Sequence, residues 1–104
     1  MKFKTHNQAD IDDACTGYVG EITTTFSELK KKFGKPNIIV EKGEKTDAEW
    51  LIQFENGVIA TIYNYKNGKN YKGNSGIATS KITDWHIGGH VEDAYNLVTQ
   101  VLKS

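Results

Sequence analysis

The sequence predicts an α+β fold: a small antiparallel β-sheet with two helices packed on one face. Three observations carry this. Two alternating segments flank Asn56-Gly57, the strongest short signal for a β-hairpin. Two amphipathic stretches, one around Phe26–Phe33 and one over Val91–Lys103, lie apart from that hairpin. The element order is strand, helix, hairpin, long loop, strand, helix, which places hairpin-joined strands in one sheet and segregates the helices.

Residues 1–16 form a polar N-terminal arm, with Asp10, Asp12 and Asp13 close together and little periodicity. The arm reads as loose chain or a short helical turn, and residues 17–104 as the single folded domain. Tyr18 to Thr23 alternates as a strand, with Tyr18, Gly20 and Ile22 on one side. Thr25 followed by Glu28 makes a capping box for the next helix. Phe26, Leu29 and Phe33 are its apolar stripe, Lys30–Lys32 suit its C-terminal dipole, and Gly34 and Pro36 end it. Ile38 to Val40 is a short strand candidate.

The hairpin runs from Glu49 to Glu55 and returns over Val58 to Lys66. A two-residue type I′ turn, with positive φ at both Asn56 and Gly57, sets Phe54 opposite Ile59, Ile52 opposite Thr61 and Trp50 opposite Tyr63. Trp50, Ile52, Phe54, Ile59, Tyr63 and Tyr65 then form the core face. Glu49, Leu51, Gln53, Ala60, Ile62 and Asn64 form the other, with Glu49 facing Asn64 and Asp47 facing Lys66. Asn64 to Ser80 is rich in Gly and Asn and reads as a long loop. Lys81 to Ile87 is a strand broken by Gly88-Gly89. The last helix carries Ala94, Leu97, Val98, Val101 and Leu102 on one stripe.

Composition narrows the functional classes. The 104 residues hold 13 Lys plus Arg and 13 Asp plus Glu, so no global field steers a polyanion or a membrane, which argues against a general nucleic-acid-binding protein. Cys15 is the only cysteine, so no disulfide forms within the chain; beside Asp12 and Asp13 it is a poor thiolate. Few cysteines in a small domain, and no long apolar run, make a cytoplasmic protein the expectation.

Three groups of residues carry chemistry. Tyr63, Tyr65 and Tyr71 interleave with Lys66, Lys69 and Lys72, and no acid occurs between Lys66 and Lys81. Rings stack on bases and lysines meet phosphates, although solvated lysines on a loop beside core tyrosines read equally well. Asp84-Trp85-His86-Ile87-Gly88-Gly89 precedes a helix whose start, with Glu92 and Asp93, already answers its own dipole. Its spacing makes neither a metal site nor a catalytic pair with a nucleophile. Glu49 and Asn64 complete the set. The candidate pocket is therefore Glu49, Asn64, Lys66, Trp85 and His86, with Tyr65 or Tyr71 closing over it. Trp85 or a tyrosine would stack on a base, Lys66 meet a phosphate, Glu49 with Asn64 read polar edges, and His86 donate a hydrogen bond. No catalytic residue, metal or cofactor is assigned.

The stretches Phe33-Gly34-Lys35-Pro36, Thr46–Trp50 running through Ala60–Lys66, and Thr83–Gly89 together resemble a widespread family of small, mostly uncharacterised proteins of tailed bacteriophages. The resemblance covers Gly17 to Leu102. It implies an accessory protein that blunts host defence, and it brings no established site residues. The expectation is a protein that sequesters a nucleotide-type immune signal without cleaving it. The alternatives are an inhibitor that binds a host defence protein, and an enzyme degrading such a signal with His86 as acid or base. A sheet of few strands leaves edges to pair, so a homo-oligomer is expected.

Overall fold

The computed structural model describes every residue from Met1 to Ser104. Six strands, β1 (Phe3–Thr5), β2 (Gly17–Thr23), β3 (Asn37–Ile38), β4 (Ala48–Phe54), β5 (Ile59–Tyr63) and β6 (Asp84–Gly89), make one sheet. The helices are α1 (Phe26–Phe33), the single turn α2 (Lys69–Lys72) and α3 (Asp93–Lys103). Strand order is β1-β4-β5-β6-β2, with β3 also paired to β4, and every pairing is antiparallel. The α+β fold is as the sequence predicts.

Helix α1 begins and ends where its signals lie. The Glu28 N–H donates to Thr25 Oγ1 at 3.0 Å. Gly34, at φ +83°, donates its N–H back to Lys30 O at 2.9 Å. Leu29 and Phe33 are buried against Trp50, Ile52, Phe54, Ile62, Trp85 and Ile87 on the sheet, together with Ala94, Leu97 and Val98 of α3. Trp50 and Trp85 meet edge to face at 5.5 Å between ring centroids. Helix α3 lies so close over β2 that a Cβ on Gly20 would stand 2.4 Å from the Tyr95 ring.

The hairpin corrects the predicted register by one residue. Gly57 donates its N–H to Phe54 O, and Phe54 donates to Val58 O, both at 2.9 Å. Only Gly57 has positive φ, at +90°; Asn56 instead accepts the Val58 N–H on its Oδ1 at 3.1 Å. The loop is thus Glu55-Asn56-Gly57, a type I turn closed by a left-handed glycine rather than a type I′ turn. Trp50 sits opposite Ile62, Leu51 opposite Thr61 and Ile52 opposite Ala60. Because side chains alternate across a strand, one residue of slip turns all of β5 over. Ala60 and Ile62 enter the core, while Ile59 and Tyr63 leave it.

Other differences have local causes. A bulge between Tyr18 and Gly20 breaks the alternation of β2, so Gly20 and Ile22 face α3 while Tyr18 faces away. Gly88 and Gly89 do not break β6 but belong to it. A Cβ on Gly88 would lie 2.5 Å from Thr61 Oγ1, and one on Gly89 2.5 Å from the Ala94 Cβ. The two glycines serve packing rather than approach to a ligand.

Residues 1–16 are built into the fold. Phe3 packs its ring 5.3 Å from Phe33 and 5.9 Å from Phe54. Since β1 and β2 are opposite edges, the chain between them crosses the sheet. It crosses the side away from the helices. Ile11 is buried but stands outside the helix-side core, and Thr61, which points to that side, is buried too. His6 and His90 pin its ends, through His6 Nδ1 accepting the Leu51 N–H at 3.3 Å and His90 Nε2 on Ala14 O at 2.8 Å.

Candidate binding surface

The side of the sheet away from α1 and α3 carries a row of residues across its strands. Glu49 on β4 pairs with Tyr63 on β5, Tyr63 with His86 on β6, and His86 with Glu21 on β2. His86 is the hub of the row. Its ring centroid lies 5.0 Å from that of Tyr18, 5.6 Å from Tyr63 and 5.1 Å from Tyr65, the last stacked at 24°. The Tyr18 hydroxyl donates to Glu21 Oε1 at 2.9 Å. That bond raises the Tyr18 phenol above its ordinary value, since it stabilises the protonated form. Burial does the same to Tyr63, with the neighbouring Tyr65 adding to it.

From Tyr65 the cluster continues onto the loop. Lys66 Nζ lies 5.2 Å from the Tyr65 ring centroid and 5.6 Å from that of Tyr71. The ammonium is therefore attracted to two rings at once. Lys66 itself takes a left-handed conformation, φ +60°, held where its N–H donates to Lys45 O at 2.8 Å. Tyr65 and Tyr71 remain 39 % and 46 % exposed, enough ring surface to stack on something else.

The loop that presents them is rigidly tied down. Asn64, just beyond the end of β5, is fully buried. Its Oδ1 accepts the N–H groups of Asp47 and Ala48 at 2.8 and 3.1 Å. Its Nδ2 donates to Asp47 Oδ1 at 2.9 Å and to Asn67 Oδ1 at 3.0 Å. Asp47 Oδ2 accepts the Asn70 N–H at 3.1 Å, and Asn70 Nδ2 reaches Ile39 O and Thr46 O. Gly68 passes so close to Asp47 that a Cβ there would lie 2.0 Å from Oδ1. The stretch read as a plain long loop thus holds α2 and two 3-10 turns, Gly73–Ser75 and Thr79–Lys81, on an Asp/Asn lattice.

The predicted site residues divide accordingly. Tyr65, Lys66, Tyr71 and His86 come together. Glu49 shares their side of the sheet but stands one strand beyond Tyr63, about 10 Å from His86 by strand spacing. It is half-buried, and desolvation, with the Asp13 carboxylate adding and His6 opposing, raises its carboxyl above the usual value. Asn64 and Trp85 belong elsewhere. Glu49 faces Tyr63, not Asn64, because of the register. Asn64 spends its amide on the lattice. Trp85 is fully buried on the helix side, its Nε1 donating to Thr24 O at 3.2 Å. None of the cavities on the molecule is lined by any of these residues, so the cluster is a surface and not a pocket.

Tyr18 was not legible as part of this surface, since only the β2 bulge turns it toward His86. No three His, Cys, Asp or Glu side chains gather as metal ligands, and no helix is long and apolar enough to cross a membrane. No protein-family model matches the chain, and no curated protein matches its sequence.

Proposed function

We propose that this protein is a binding protein without catalytic chemistry, and that Tyr65, Lys66, Tyr71 and His86 form its working surface. One observation carries the reading. Asp47, Asn64, Asn67 and Asn70 spend buried and half-buried hydrogen bonds to hold in place a segment whose outward residues are tyrosines and lysines. Fixing such residues in advance removes much of the ordering cost of binding. Exposed rings beside an ammonium fit a ligand with a flat π-face and a negative charge, which is the chemistry of a nucleotide. Lys69 and Lys72 on α2 add charge on the same loop. In the setting the phage resemblance implies, the ligand is a nucleotide-type immune signal held, uncleaved, in the host cytoplasm.

A second reading has its own support. The surface is open, whereas small-molecule sites are usually concave, and clustered tyrosines are typical anchors of protein interfaces. On that reading the chain inhibits a host defence protein. A thermal-shift screen against mono-, di- and cyclic oligonucleotides, with the nucleotides recovered afterwards, separates the two. A shift that Tyr65→Ala and Lys66→Ala each abolish, with nucleotide recovered unchanged, supports capture. No shift with any nucleotide, together with a host protein retained by the native chain and lost with Tyr65→Ala, supports the inhibitor. Altered nucleotide overturns the non-catalytic reading.

A further inference from the structure

One carboxylate sets the spacing of Tyr65 and Tyr71. Each ring directly follows a residue bound to Asp47: Asn64 Nδ2 donates to Asp47 Oδ1 at 2.9 Å, and the Asn70 N–H donates to Asp47 Oδ2 at 3.1 Å. Asp47 is buried, so its two oxygens fix the two backbone positions from which the rings project. A single ammonium serves both rings, with Lys66 Nζ 5.2 Å from the Tyr65 centroid and 5.6 Å from the Tyr71 centroid.

Charge around the two rings is divided. Lys69 and Lys72 flank Tyr71 on α2. Toward the sheet the surface turns acidic. Strand alternation puts Asp84 on the same face as His86, Glu21 pairs with His86, and Glu49 pairs with Tyr63. A phosphate is therefore drawn to Lys66 and repelled from the ground around His86 and Tyr18.

We infer that the ligand of this surface is a dinucleotide unit: two bases joined across one phosphate, with one base on Tyr65, the other on Tyr71, and the phosphate at Lys66. The inference rests on the nucleotide reading above and narrows it. The number of rings decides it. No cavity wall backs these residues, and one stacked base contributes only about tenfold to a hundredfold in affinity. A mononucleotide engages one ring and leaves the other in water. A dinucleotide engages both and brings its one linking charge to the one ammonium they share. Because Asp47 holds the spacing in advance, little ordering is left to offset the gain. A longer strand finds no further footing. Toward the sheet the next ring is His86, already stacked on Tyr65 and set among acids, and residues 72–81 carry no aromatic side chain.

Titration calorimetry of the full chain with the dinucleoside monophosphates ApA, GpG, CpC and UpU, and with the matching mononucleotides, tests the inference. At least one dinucleoside monophosphate should bind about tenfold or more tighter than its mononucleotide, although its single phosphodiester carries less charge. Tyr71→Ala should erase that difference, and Tyr71→Phe, which keeps the ring, should preserve it. Tyr71 is exposed, so neither change empties the core. A hexanucleotide of the same base should gain no more than about tenfold over the dinucleoside monophosphate. Equal affinities for the two kinds of ligand, or a difference that survives Tyr71→Ala, overturn the inference and leave the nucleotide reading standing. A hexanucleotide bound tighter than that limit makes the face a track for single strands and overturns it too. If neither kind binds, the nucleotide reading fails and this inference fails with it.

Discussion

Asn64 and Asp47 hold each other twice: the Asp47 N–H donates to Asn64 Oδ1 at 2.8 Å, and Asn64 Nδ2 returns a bond to Asp47 Oδ1 at 2.9 Å. Both residues are buried, and both also reach into the following loop through Asn67 and Asn70. Asn64→Ala leaves Asp47 Oδ1 and the N–H groups of Asp47 and Ala48 without their partner, and should cost about 1–3 kcal/mol. The sharper expectation is local. Hydrogen exchange should quicken over Asn67 to Ile77 far more than in β4 or β6. Uniform acceleration along the chain would mean that the lattice does not specifically hold the loop.

The hairpin turn makes an asymmetric prediction. Gly57 alone occupies left-handed space, with nothing near where a Cβ would stand. Gly57→Ala should therefore cost about 1 kcal/mol through backbone conformation alone. Asn56→Ala should cost less, since it loses only an exposed bond from Val58. Equal losses at the two positions, measured by urea denaturation, would instead favour a type I′ turn.

Trp85 separates core from surface. It is fully buried between Phe26 and Trp50. Trp85→Ala should lower stability by about 3–5 kcal/mol. Trp85→Phe, which keeps the core partly filled, should leave nucleotide or partner affinity near that of the native chain. A large affinity loss in a well-folded Trp85→Phe protein would return that residue to the site.

Glu49 gives the chain a pH dependence with a defined sign. Its carboxyl is raised in the folded state, chiefly by desolvation. Between the ordinary carboxylate value and the raised one, the folded state holds more protons than the unfolded state. Stability from this group is full below that window and declines as pH rises through it. Glu49→Gln should remove the decline and leave the variant slightly more stable at neutral pH, by under about 1 kcal/mol because the carboxyl is partly in water. Denaturation curves of both proteins from about pH 4 to 8 measure the difference. A Glu49→Gln protein that loses stability as pH rises would reverse the assignment.

At the binding surface, Lys66→Ala should weaken ligand capture more at low salt than at high salt, because an exposed charge is screened. Tyr65→Ala should weaken it by about 1–3 kcal/mol with little salt dependence, as loss of a stacked ring does. Titration calorimetry at two ionic strengths distinguishes the two. Matching salt slopes for the two variants would remove the division of roles between ring and ammonium.

What the sequence determined by itself was local. Thr25, Gly34 and Pro36 mark the ends of α1, because caps and breakers act within a few residues of where they stand. The apolar stripes of α1 and α3 named their buried faces, because helical spacing is a property of one segment. The same local signals named Tyr65, Lys66, Tyr71 and His86 as chemistry-bearing side chains, but the hairpin pattern placed Tyr65 on the core face, and the structure leaves it 39 % exposed. Tertiary structure decided everything that depended on parity. Whether Asn56-Gly57 closes a two- or a three-residue loop turns the whole of β5 over. That single residue took Asn64 away from Glu49 and brought Tyr63 beside Glu49 and His86. The β2 bulge likewise turned Tyr18 toward His86. A strand's pattern names two faces, but only its neighbours in the sheet settle which one meets the helices.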